Sequence, residues 1–174
     1  VNTDIHPFTR QYLKATPWDD PKVYADTSPM TYIKSAKAPT LIDLIVRLKK
    51  SGGTCHLVGL VSPGGVHSHQ DHAVALAKII SDAGVPAVVH AITDGRDTPP
   101  QSAGDDLKRL TAALPKSVVV ATVIGRYFAM DRDKRWERVA KAYNAIVEGE
   151  GPRFADPQAA IADAYAKKQF DEFI

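Results

Sequence analysis

The stretch TCHLVGLVSPGGVHSHQDHAVALAKIISDAG, residues 54–84, holds one complete strand, loop and helix, and its reading decides the fold. The run from Thr54 to Val61 becomes nearly continuous in apolar residues, as a strand buried on both faces requires. The loop SPGGVHSH follows, and a helix is predicted from Gln70 to Ala83, ended by Gly84. The same unit recurs twice downstream. A strand over Pro86–Ile92 leads through TDGRDTPP to a helix over Ser102–Leu114, for which Ser102 and Asp105 supply a capping box. A strand over Ser117–Ile124 leads through an arginine-rich loop to a helix over Lys134–Val147, with Trp136, Val139, Ala140, Tyr143 and Val147 on one face. Three strand–loop–helix units in succession predict an α/β fold, a three-layer α/β/α domain with a mainly parallel sheet.

Flanking segments complete the organisation. Leu41, Leu44, Ile45 and Leu48 fall at helical spacing before Gly52 and Gly53, so a helix is predicted over Thr40–Lys50. Asp156 caps and Pro157 opens a last helix running to about Lys168. Residues 1–39 contain Pro7, Pro17, Pro21, Pro29 and Pro39 among scattered aromatics, and read as an irregular, proline-rich segment with at most a short helix at Thr9–Lys14. The division expected is therefore residues 1–39 and a domain over 40–174.

Composition narrows the function classes. With 22 basic and 20 acidic residues the formal net charge is +2, so no global field favours nucleic acid or a membrane surface, and neither is an expected partner. The single cysteine, Cys55, excludes an internal disulfide and reads as a small core residue. No apolar run approaches the roughly 20 residues that span a bilayer, and the opening residues lack a signal-peptide pattern. A cytoplasmic location is expected.

Topology puts the polar residues in one place. In a parallel sheet every strand-to-helix loop leaves from the carboxyl edge, where open α/β sheets bind ligands. Those loops carry His67, Ser68 and His69, then Asp94, Arg96 and Asp97, then Arg126, Asp131 and Arg132. Arginine is a planar, permanently charged fork suited to carboxylate and phosphate. The bland alternative for Gly125–Arg138, GRYFAMDRDKRWER, is a salt-bridged helix start in which Asp131 and Asp133 neutralise their neighbours. In Asp94-Gly-Arg-Asp97, Arg96 can take a ligand carboxylate and Asp97 can act as a general base, or the two can pair and lock the turn. His67-Ser-His69-Gln-Asp71-His72 spells HxHxDH, a zinc-binding pattern of hydrolases, but the later histidine needed to complete such a site is represented only by His90, inside a predicted strand. His6, His56 and His90 read as structural. No nucleophile motif is evident.

Taken together, LVSPGGVHSHQDH, HAITDGRDTPPQSA and VIGRYFAMDRDKRWERVAKAYNAIV resemble the signature blocks of cofactor-independent (2,3-bisphosphoglycerate-independent) phosphoglycerate mutases, within the substrate-binding, phosphotransferase domain. The resemblance covers about Leu41 onward. It implies an isomerase of glycolysis and gluconeogenesis that interconverts 3-phosphoglycerate and 2-phosphoglycerate through a phosphoserine, with no requirement for 2,3-bisphosphoglycerate. It implies that His67, Arg96, Asp97, Arg126 and Arg132 line the substrate pocket, with Asp97 the catalytic proton acceptor. The serine and the ligands for manganese belong, in that family, to a metal-binding, phosphatase-like domain whose motifs do not occur in this sequence. Residues 40–174 are then a partial substrate-binding domain, with no metal site of its own, partnered by that second domain and inactive alone. Two other readings stand beside this one: a zinc-dependent hydrolase using the HxHxDH segment, and a non-catalytic domain that binds an anion or an acidic partner.

Overall fold

In the computed structural model residues 40–174 are described; the proline-rich segment, with His6 and the helix expected at Thr9–Lys14, lies outside them. The sheet has three parallel strands, β1 (Cys55–Val61), β2 (Ala87–Thr93) and β3 (Val119–Gly125), in spatial order β1-β2-β3. Between and around them run α1 (Thr40–Ser51), α2 (Gln70–Asp82), α3 (Ala103–Ala113), α4 (Arg126–Ala129), α5 (Trp136–Val147), α6 (Pro157–Ala166) and a 3-10 turn, Asp171–Phe173. Residues 44–174 make one compact unit.

The α/β class and the parallel sheet are as the sequence predicts, and most element boundaries fall within two residues of expectation. Two short elements have no sequence counterpart: the single turn α4, directly after β3, and the 3-10 turn. The helices that connect sequential neighbouring strands, α2 and α3, pack against each other and against β1 on one face of the sheet. That side is densely packed, with Val89, Ala91, Ala77, Ile80, Leu107 and Leu110 all essentially inaccessible to water. Full burial of each large aliphatic side chain stabilises the fold by about 1.5–3 kcal/mol. On the other face Leu60, Ile92 and Ile124, one from each strand, pack with Ala142 of α5 and against Phe128, Ala129, Met130 and Ala145. Cys55 is buried at the start of β1, as expected of a core residue.

Toward the strand starts on this second face a polar row replaces the apolar one. His56 Nδ1 lies 2.8 Å from His90 Nε2, and His90 Nδ1 lies 2.9 Å from Thr122 Oγ1. Burial, reinforced by repulsion from His56, pushes the His90 pKa down. Both histidines are thus partners within the sheet, in keeping with a structural role.

Registration of the strands positions the loops. Val61 pairs with Thr93, and Thr93 with Gly125, so the three strands end in line. The residues that follow, Ser62, Asp94 and Arg126, therefore stand side by side at the carboxyl edge. Among the described residues no helix is long and apolar enough to cross a membrane.

Candidate functional site

The three residues at the strand ends are bonded to one another. Asp94 is 2% exposed; its Oδ2 accepts from Ser62 Oγ at 2.7 Å, and its Oδ1 accepts from Arg126 Nη1 at 2.6 Å. The same Oδ1 also accepts from the backbone N–H groups of Arg96 (3.2 Å) and Asp97 (3.0 Å). Gly95, at φ +83°, supplies the left-handed step that folds Asp-Gly-Arg-Asp back over the Asp94 carboxylate. Burial alone raises a carboxyl pKa, but here the Ser62 hydroxyl, the two backbone amides and the Arg126 guanidinium outweigh it and hold Asp94 below the usual range. Arg126 is equally committed: burial works against its charge, but its bonds to Asp97 and Asp94 prevail and raise its pKa.

Arg126 Nη1 also donates to Asp97 Oδ2 at 2.8 Å, and His67 Nε2 stands 4.0 Å from the same oxygen. Asp97 is thereby the point at which all three loops meet. Among the described residues no donor reaches its other oxygen, Oδ1, and the side chain keeps 18% exposure. Close packing of the first two loops depends on Gly64, since a Cβ there would lie 3.0 Å from the Asp97 Cβ and 3.3 Å from its carbonyl oxygen. The first loop is further tied down by Ser68, whose Oγ donates to the Leu60 carbonyl at 2.6 Å.

Of the residues singled out in sequence, the structure brings His67, Asp97 and Arg126 together. Arg96 stands on the same Asp94-centred turn but does not lock it by pairing with Asp97; its Nε donates to the carboxylate of Glu172. Arg132 is exposed, and its guanidinium makes no polar contact among the described residues. The arginine stretch splits in two. Arg126 enters the site, whereas Arg138 donates to Asp131 (3.0 Å) and Asp133 (3.1 Å) and stacks 3.9 Å over the Tyr127 ring. The salt-bridged reading thus holds for its second half. Asp131 also accepts from the backbone N–H groups of Asp133 and Arg135, and these, with Arg138, lower its carboxyl pKa against the effect of desolvation.

The HxHxDH segment does not converge. His69 is the N-cap of α2, its Nδ1 accepting from the Asp71 N–H at 3.3 Å; His72 lies exposed on the helix; and His67 faces Asp97. Among the described residues no three His, Cys, Asp or Glu side chains are grouped to hold an ion, so they fit neither zinc in this segment nor a manganese site.

The frame under the second loop escaped sequence reading. Asp171, fully buried, accepts with Oδ2 from the N–H groups of Ser102 and Ala103, both at 2.9 Å, and caps α3 from outside. Ser102 and Asp105 do not form the expected capping box; Ser102 Oγ donates instead to Asp106 at 3.0 Å. Asp171 also accepts from the Tyr165 hydroxyl, and its carbonyl accepts from Thr93 Oγ1 at 2.6 Å. Gly125 is needed for a reason other than a sharp turn: its φ is an ordinary −69°, but an added Cβ would fall 2.2 Å from the Glu172 carbonyl oxygen. No local pattern signals these contacts; the Asp171–Ser102 bond spans 69 residues.

Fold and site together define the chain as a parallel α/β domain with a cross-braced polar site at the carboxyl edge of its sheet. The family model described as BPG-independent PGAM N-terminus (iPGM_N) matches residues 31–174, and the chain belongs to that family. A 2,3-bisphosphoglycerate-independent phosphoglycerate mutase of Rhodopseudomonas palustris is 67% identical over 138 residues, covering 79% of this chain and 27% of that protein. A protein of the same name from Gluconobacter oxydans is 55% identical over 139 residues, again with 27% of its length covered. Among solved structures, a phosphoglycerate mutase of Leishmania mexicana, crystallised at low cobalt concentration, superposes with a TM-score of 0.73 at 30% identity, over 83% of this chain and 28% of that one. The chain thus spans little more than a quarter of the relatives it matches.

Proposed function

We propose that residues 40–174 are part of the substrate-binding, phosphotransferase domain of a phosphoglycerate mutase, and that the carboxyl-edge loops bind 3-phosphoglycerate and 2-phosphoglycerate. The observation that carries this reading is the meeting of three loops on Asp97, with one carboxylate oxygen held by Arg126 and no donor on the other among the described residues. A carboxylate so arranged can accept the proton of a glycerate hydroxyl as that oxygen attacks a phosphoryl group. Arg126 fixes the base by gripping Asp97 and Asp94 with the same nitrogen. Arg96, on the same turn and 45% exposed, and the exposed Arg132 supply the charge that offsets substrate carboxylate and phosphate. His67 adds a further donor on the opposite loop.

The reaction also requires a phosphoserine and, in the resembled family, manganese; both are assigned to a second domain, which closes on this one around the substrate. The chain alone is then inactive, and it needs no 2,3-bisphosphoglycerate. The setting is a glycolytic and gluconeogenic enzyme of the cytoplasm. Calorimetric titration with 3-phosphoglycerate tests the binding role. The unmodified chain is expected to bind, and Arg96→Ala to weaken binding by about 10–100-fold, the usual value of a charge-assisted hydrogen bond. Equal affinity for neutral glycerol, or indifference to Arg96→Ala, would count against it.

A further inference from the structure

We propose that Glu172 is a positioning residue for Arg96, presenting the terminal guanidinium nitrogens of that arginine to the anionic substrate; this rests on the substrate-binding reading above. The 3-10 turn carrying Glu172 is held from several sides. Its first residue, Asp171, caps α3 and takes the Thr93 hydroxyl on its carbonyl; its last, Phe173, packs against Tyr127 with ring centroids 5.0 Å apart; and the next residue, Ile174, accepts from the Gly125 N–H at 2.7 Å. The turn also presses on both glycines of the site loops. A Cβ on Gly95 would lie 3.0 Å from the Asp171 Cβ and 3.1 Å from the Glu172 nitrogen, and Gly125 lies under the Glu172 carbonyl. Glu172 therefore stands on a fixed bracket between the second and third loops.

Its carboxylate is 17% exposed and accepts from Arg96 Nε, while the arginine side chain remains 45% exposed. A guanidinium has five N–H donors; with the Nε donor committed, four remain on the two terminal nitrogens, a geometry that takes a carboxylate or phosphate end-on. A free arginine on an exposed turn samples many rotamers, and immobilising it at binding lowers affinity. The ion pair removes that freedom beforehand. It also leaves the local charge balanced until an anion arrives, so Glu172 acts through Arg96 rather than on the substrate.

The test compares the unmodified chain, Glu172→Ala and Glu172→Gln by titration with 3-phosphoglycerate, and follows hydrogen exchange at the Arg96 Nε–H by NMR. Glu172→Ala is expected to weaken binding by about tenfold through lost preorganisation and to speed Nε–H exchange. Glu172→Gln keeps an acceptor for Nε–H and is expected to recover most of both; it also carries the test if the alanine variant does not fold. Binding by the unmodified chain that neither variant weakens, or tighter binding in either, overturns the proposal alone. An Arg96 Nε–H that exchanges in the unmodified chain as fast as in a free arginine also overturns it. No binding by the unmodified chain overturns the substrate reading and this proposal together.

Discussion

Asp94 accepts four hydrogen bonds on a carboxylate that water does not reach, and every strand-end loop depends on it. Replacing it with alanine leaves Arg126 buried with one of its two partners gone, and the expected loss is about 3–5 kcal/mol by chemical denaturation at neutral pH. The pH dependence follows from its lowered pKa. As pH falls below the ordinary value of 3.8, the unfolded chain takes up the proton before the folded one does. The stabilisation is therefore complete above that value and is lost as pH drops through the folded-state pKa. Asp94→Asn should abolish that part of the acid sensitivity, measured as the slope of unfolding free energy between about pH 5 and pH 2. Tyr165 behaves oppositely. Desolvation, with its bond to the Asp171 carboxylate, raises the phenol pKa well above the ordinary 10.0, so its contribution is present below pH 10 and fades as pH rises beyond it. Ultraviolet absorbance should contain a phenol, that of Tyr165, whose ionisation waits for the chain to unfold at alkaline pH, and Tyr165→Phe should remove that part of the titration.

At the scale of elements, the strands and long helices were readable because their hydrophobic periods are strong and their stop signals local. Gly84, at φ +74°, follows α2 as expected, and Asp156 accepts from the Ala159 N–H at 2.8 Å with Pro157 opening α6. The polar loops were readable too, since a parallel sheet gathers them wherever each strand stands. What could not be read depends on contacts distant in sequence. The start of α3 shows this: a plausible local cap, Ser102 with Asp105, yields to Asp171, which satisfies two backbone donors at once and is itself buried by the turn. Asp171→Ala should therefore cost about 2–4 kcal/mol, more than a surface cap, because it strands two N–H groups, that of Ala103 fully buried, and the Tyr165 hydroxyl. Ser102→Ala should cost about 1–2 kcal/mol, since it removes no cap but takes a donor from the buried Asp106 carboxylate. Gly125→Ala should destabilise by about 1–3 kcal/mol or more, because the backbone at Glu172 must move to admit the methyl group. Thermal and denaturant unfolding of the three variants orders these effects.

In the molecule taken whole, each level rests on the one below it. Aligned strand ends place Ser62, Asp94 and Arg126 in contact, and that contact brings Asp97 and His67 together. Sequence alone selected the three loops that the structure brings together at Asp97 but not the contacts within them, because arginine is equally suited to brace a fold and to hold a ligand. Arg126 and Arg138 brace, whereas Arg96 and Arg132 retain exposed guanidinium groups. The most direct measurement is a backbone NMR titration of the chain with 3-phosphoglycerate, with Arg132→Ala run alongside. Shifts confined to residues 62–69, 94–98 and 126–132 and the adjoining turn at 171–173, weakened in the variant, are the expected result. Shifts that fall elsewhere on the surface, or none at millimolar ligand, would contradict it.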